Sequence, residues 1–259
     1  MNVCATTSLR VVGGHAANIT EVPFMARCCS TVTYRCCGAT ILSERYLISS
    51  AQCYYDKVDF GSRLALVGTD QIFGDGEAYI IKEAYTHPSF IPIPPTPPLP
   101  PTPPVGDDED DPHPEPIWAQ DYDVVLLKLA KELKFSDRVQ SIPLADEQLE
   151  LSEGAMLDTM GFGSTSAGNV SIILLQKVSV PFIPQEKCKV RSPDLTDRMI
   201  CAGAAWKGSG RFDDGGPLVY DNQLVGILSE PRTYGEEGIT SIYTSVPAVR
   251  DFIDAVLQN

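Results

Sequence analysis

Cys37-Gly38-Ala39-Thr40-Ile41-Leu42, followed by Leu47-Ile48-Ser49-Ser50-Ala51-Gln52-Cys53, sets the pattern that repeats along the chain. The run Thr40–Ile48 suits a β-strand, and similar runs follow at Leu64–Val67, Ala78–Ile81, Val124–Leu129, Ile172–Val180, Leu218–Tyr220, Leu224–Leu228 and Ile239–Tyr243. All are rich in Val, Ile, Tyr and Thr and are separated by Gly, Pro, Ser and Asp, the composition of short strands joined by turns. Helix is legible only at the end. In Pro247–Leu257, residues Val249, Phe252, Ile253 and Val256 fall at i, i+3, i+4 and i+7 and give one apolar face. Strands throughout with one terminal helix predict an all-β barrel or sandwich.

The length of 259 residues allows one large domain or two small ones, and all-β barrels of this size are commonly one. A net charge of -14 argues against nucleic acid and anionic membrane surfaces as partners. No apolar run is long enough to span a bilayer. The opening Met1–Arg10 has no hydrophobic stretch, so any signal peptide is expected to be gone already. The eight cysteines form no CxxC pair, and there are only three histidines, at 15, 87 and 113. A disulfide framework is therefore a better reading than a zinc site, and neither metal nor cofactor is expected. The sequons Asn18-Ile19-Thr20 and Asn169-Val170-Ser171 point with the cysteines to a secreted, extracellular glycoprotein.

One segment breaks the strand pattern. Between Pro88 and Pro116 lie 13 of the 21 prolines, with the acidic run Asp107–Asp111 among them. Proline donates no ladder hydrogen bond, so Pro92–Pro104 cannot join a sheet. Polyproline II at about 3.1 Å per residue would extend it to about 40 Å. The acidic run has no apolar residue to bury and should be solvated. The insert, about 91–117, reads as a surface loop or as a recognition arm over a neighbouring groove.

Four stretches, in order, resemble the chymotrypsin/trypsin serine-protease family. Arg10-Val11-Val12-Gly13-Gly14 is similar to the activation site, and the opening stretch to the segment holding the catalytic histidine. Asp121-Tyr122-Asp123-Val124-Val125-Leu126-Leu127-Lys128-Leu129 resembles the strand of the catalytic aspartate. Asp213-Asp214-Gly215-Gly216-Pro217-Leu218-Val219 resembles the nucleophile loop. The activation motif and Thr196–Cys201 look arthropod-like, and arthropod members include inactivated protease paralogues of parasitic mites. The resemblance spans residues 11–259 apart from the insert, with 1–10 as a pro-segment. It implies two six-stranded antiparallel β-barrels, a C-terminal helix and a site in the cleft between them.

The same resemblance implies that the chemistry is missing. Acyl transfer by serine needs a hydroxyl nucleophile, a base and an orienting carboxylate. The base position holds Gln52, an amide that cannot exchange a proton near neutral pH, and the nucleophile position holds Asp214, which has no hydroxyl. Asp123 alone matches, as a carboxylate that now orients nothing and bonds to the Gln52 amide. Phe212 replaces a glycine of the oxyanion hole, and Gly210 replaces a cysteine that braces the specificity pocket. Gly208 stands in place of the basic-residue reader, and Ser241 narrows the pocket. Ser229-Glu230-Pro231 replaces the substrate-pairing edge, where Pro231 has no N–H to offer.

The zymogen switch survives in outline: cleavage after Arg10 would free Val11, and Asp213 matches the acid that receives it. The family implies the disulfides Cys37–Cys53 and Cys188–Cys201. The remaining four cysteines allow three pairings. Cys28–Cys36 would close the hairpin of Phe24–Cys29 and Arg35–Ile41, leaving Cys4 to tether the pro-segment to Cys29.

The expected function is a non-catalytic monomer that binds extracellular proteins: an inhibitor, decoy or cofactor among proteases of an immune or clotting cascade. A second reading is a hydrolase whose carboxylates, Asp123, Asp214 and Glu230, crowd one cleft and raise one another's pKa. A third is that these carboxylates hold a cation or a partner's Lys or Arg.

Overall fold

The computed structural model describes residues 13–55, 62–72, 74–92, 120–163, 174–190, 192–205, 207–210, 213–230 (Glu230 by its backbone) and 240–258. Among the described residues, thirteen strands occur in chain order. They are β1 (His15–Ala16), β2 (Met25–Ser30), β3 (Cys36–Ile41), β4 (Tyr46–Ser49), β5 (Arg63–Val67), β6 (Glu77–Thr86) and β7 (Val125–Leu129), then β8 (Met156–Gly161), β9 (Gln176–Ile183), β10 (Met199–Ala202), β11 (Pro217–Tyr220), β12 (Gln223–Glu230) and β13 (Ser241–Ser245). Helix α1 is the single turn Gln185–Cys188, and α2 is Arg250–Leu257.

The strands close into two antiparallel barrels. In the first, the order around the barrel is β2-β3-β4-β7-β6-β5, with β5 pairing back onto β2. In the second it is β8-β9-β10-β13-β12-β11, closed by β11 on β8, and β1 adds beside β9. Among the described residues, closure leaves no long edge strand to pair with another chain. Alternation drives it: Arg63, Ala65 and Val67 of β5 are buried while Leu64 and Leu66 between them are only half-buried, the period of two expected of a strand with one face inward.

Each barrel has its own apolar interior, and a third cluster joins them. Met25, Tyr46, Ile48 and Leu126 of the first barrel pack with Met160, Leu224 and Ile227 of the second. Helix α2 seals this joint with the face expected from its spacing. Ile253 is 0% exposed, Val249 is buried, and Phe252 and Val256 pack partly buried against the same cluster. Burial of a side chain such as Ile253 contributes about 1.5–3 kcal/mol. Pro247 starts a 3-10 turn over Pro247–Val249, which displaces the α-helical start to Arg250.

Two expectations are corrected. The run Thr40–Ile48 is not one strand but the adjoining parts of β3 and β4, paired Thr40↔Ile48 and Ile41↔Leu47. Ser43 makes the reversal, its hydroxyl accepting from the Arg45 and Tyr46 N–H groups.

The second correction concerns the cysteines. Cys37–Cys53 and Cys188–Cys201 are formed, but the hairpin bridge is Cys29–Cys36, not Cys28–Cys36. The register pairs Cys29 with Cys36 and Cys28 with Cys37, and a one-residue step along a strand reverses the face. Cys28 therefore points into the barrel, 4% exposed and unbridged, and burial pushes its thiol up to about 12. With Cys29 bridged to Cys36, the expected Cys4–Cys29 tether is excluded, and Cys4 itself lies outside the described residues.

Candidate functional site

The joint between the barrels brings together the three positions singled out in the sequence. Gln52 lies on the 3-10 turn Ala51–Cys53 that follows β4, Asp123 precedes β7, and Asp214 sits in the turn before β11. Side chains and backbone both close the seam: across it Ser229 Oγ reaches the Asp123 carboxylate and Thr244 Oγ1 donates to the Asp123 carbonyl. The Gly38 N–H donates to the Asp214 carbonyl at 2.7 Å, and the Gly215 N–H to the Leu228 carbonyl at 2.7 Å. A Cβ on Gly38 would lie 2.8 Å from the Gly216 backbone, and one on Gly215, whose φ is +79°, would meet Ser49 Oγ at 2.1 Å. Only glycine allows so close an approach.

Asp123 is 0% exposed. Ser50 Oγ lies 2.9 and 2.8 Å from its two carboxylate oxygens, the Gln52 backbone N–H donates at 2.8 Å, and Ser229 Oγ donates at 2.6 Å. Burial pushes this carboxyl up to about 6, against the pull of those donors. The expected bond to the Gln52 amide is thus made by the backbone. The Gln52 side chain turns to a different neighbour, its Oε1 accepting from Gln120 Nε2 at 2.8 Å. An amide clasped by a second amide stands where a general base would act.

Asp213 is 2% exposed and differs in its partners. One carboxylate oxygen accepts from the Gly163 N–H at 2.7 Å and the other from the Gly210 N–H at 2.8 Å. Burial pushes it also up to about 6, and among the described residues no cation faces it.

The specificity-pocket positions form a buried hydroxyl network. Ser209 Oγ lies 3.0 Å from Thr159 Oγ1 and 2.8 Å from the Tyr243 hydroxyl. Ser209, Ser241 and Tyr243 are at most 1% exposed, and Gly208 beside them is buried too. Burial, more than any neighbour, raises the Tyr243 phenol. The network offers hydroxyls, and the Asp213 carboxylate is near enough for its charge to add to the rise of the Tyr243 phenol.

Ser229 is brought to Asp123 as described, and Glu230 ends β12 with its backbone opposite Ile242. Asn18 lies on the exposed surface. Arg10, Val11, Asn169, Phe212, Pro231 and most of the proline-rich insert fall outside the described residues. Two residues were missed from sequence. Ser50 and Gln120 are polar residues next to motif positions, and nothing local marks them as partners of Asp123 and Gln52. Among the described residues no group of three or more His, Cys, Asp or Glu is placed to hold a metal ion, and no helix is long and apolar enough to cross a membrane.

Comparison with known proteins agrees with this geometry. The family model described as Trypsin matches residues 11–253. Trypsin 5G1 of Aedes aegypti is 28% identical over 256 residues, covering 96% of this chain and 86% of that protein. A trypsin of Simulium vittatum is 29% identical over 234 residues, 87% of this chain and 84% of that one. Among solved structures, the scabies mite inactivated protease paralogue S-D1 superposes with a TM-score of 0.78 at 18% identity, over 96% of this chain and 97% of the mite chain. With a family match running nearly end to end over two barrels of this order, the chain belongs to the trypsin family.

Proposed function

We propose that this protein is a secreted, non-catalytic member of the trypsin family that acts by binding extracellular proteins, as an inhibitor, decoy or cofactor in a proteolytic cascade. The observation that carries the reading is the Gln120–Gln52 amide pair over a sealed Asp123. In that arrangement the Gln52 amide cannot take a proton from a nucleophile, and Asp214 supplies no hydroxyl. Loss of base and nucleophile together removes on the order of 10⁶ in rate from a serine triad. The mite protein that shares this fold is itself named an inactivated protease paralogue, which supports the reading. Three disulfides fit an oxidising, extracellular setting. A carboxylate-based hydrolase is disfavoured, because Asp123 is wholly buried and already engaged by three residues.

The test is hydrolysis itself. The protein, intact and after limited tryptic cleavage at Arg10, is incubated with a mixed peptide library and a serine-directed active-site probe. Neither turnover nor labelling is expected. Turnover that survives repurification and disappears in Asp214→Asn would overturn the proposal.

A further inference from the structure

Asn18 is exposed and precedes the 3-10 turn Ile19–Glu21, with φ −82° and ψ 141°. Its Oδ1 accepts from the Thr20 N–H at 3.0 Å and from Thr20 Oγ1 at 2.9 Å, while Glu21 Oε1 accepts from the Asn18 N–H at 3.1 Å. This is a reciprocal capping box. Every polar contact of the Asn18 amide in it runs through the oxygen. Among the described residues Nδ2 makes no hydrogen bond. Ile19, between the two exposed polar residues, is 2% exposed and anchors the turn in the joint between the barrels.

We infer that Asn18 is a glycan attachment site, and that the glycan leaves the turn intact because it uses the one amide atom that the fold does not. In the transfer, Asn18 Nδ2 attacks the anomeric carbon of a lipid-diphosphate oligosaccharide. A C–N bond forms, the C–O bond to the diphosphate breaks, the lipid diphosphate leaves, and one Nδ2 proton goes to the transferase. The product keeps Oδ1 as a carbonyl acceptor, so both bonds from Thr20 and the Glu21 bond persist. A threonine hydroxyl two residues on completes the acceptor motif and here already contacts the asparagine amide. The inference is independent of whether the protein is catalytic, since no residue of the barrel joint takes part in it.

The experiment places the full chain behind a secretion leader and translates it with microsomes, so the readout does not depend on export or folding yield. Peptides protected inside the vesicles are mapped before and after treatment with peptide N-glycosidase. The expected result is that most of the Asn18 peptide carries glycan and returns as aspartate after treatment. Thr20→Ala should abolish modification at Asn18 while the Thr20 N–H keeps its bond to Oδ1. Recovery of the Asn18 peptide mostly unmodified from inside the vesicles would overturn the inference. So would modification at Asn18 that persists in Thr20→Ala.

Discussion

Asp123 and Asp213 are two buried carboxylates in one seam, and they are held in opposite ways. Asp123 takes hydroxyls from Ser50 and Ser229 as well as the Gln52 N–H. Asp213 takes two backbone N–H groups, from Gly163 and Gly210. Both are pushed up to about 6 by burial. The side-chain cage closes the first carboxylate against new partners. The backbone cradle places one donor on each oxygen of the second, and among the described residues no cation faces it.

The largest effect should come from emptying the cage. Asp123→Ala strands three donors, and at about 1–3 kcal/mol for each buried unsatisfied group it should cost about 3–9 kcal/mol. Asp213→Ala strands two and should cost about 2–6 kcal/mol. Urea midpoints of the two variants give the order directly, and an equal or reversed order would break the contrast.

Next comes pH. An unfolded aspartate titrates at about 3.9, below the folded values, so between about 4 and about 6 the folded protein binds more protons than the unfolded chain. The contribution of these two carboxyls to stability should therefore be fully present below that window and be lost as pH rises through it, by up to about 3 kcal/mol for each. Asp213→Asn should remove its share of the slope. If cleavage after Arg10 delivers the Val11 α-amino group to Asp213, the cation lowers that carboxyl and its share of the slope reverses sign. Identical pH profiles and unfolding temperatures for cut and uncut protein would end the idea of a surviving activation switch.

Smaller changes sharpen the comparison. Ser50→Ala removes one donor from a carboxylate that keeps two others, and should cost about 1.5–3 kcal/mol in the urea midpoint at neutral pH. Gln120→Ala breaks a single neutral amide bond and should cost about 0.5–1.5 kcal/mol. If Gln120→Ala proved the more damaging, the amide pair rather than the carboxylate cage would be the organising contact.

The frame of the site was legible in sequence because its parts are local. Gln52, Asp123 and Asp214 each sit in a short ordered motif, and the strands flanking them alternate as strands must. Two kinds of information were not local. Whether Cys28 or Cys29 faces Cys36 depends on the register of β2 against β3, which two adjacent cysteines cannot reveal. The turn inside Thr40–Ile48 was hidden because Ser43-Glu44-Arg45 carries no Gly or Pro to mark it. Ser50 and Gln120 acquire their roles from residues 73 and 68 positions away in the chain, contacts that only folding creates.

Cys28 has a practical consequence. It stands across the strand pair from Cys37, on the same face, so once this hairpin forms in an oxidising mixture it is an eligible rival of Cys53 for the Cys37 thiol. A preparation refolded from reduced material should contain a misbridged fraction in which Cys53 is the odd thiol. Replacing Cys28 by alanine would remove that rival at the modest cost of one small interior group.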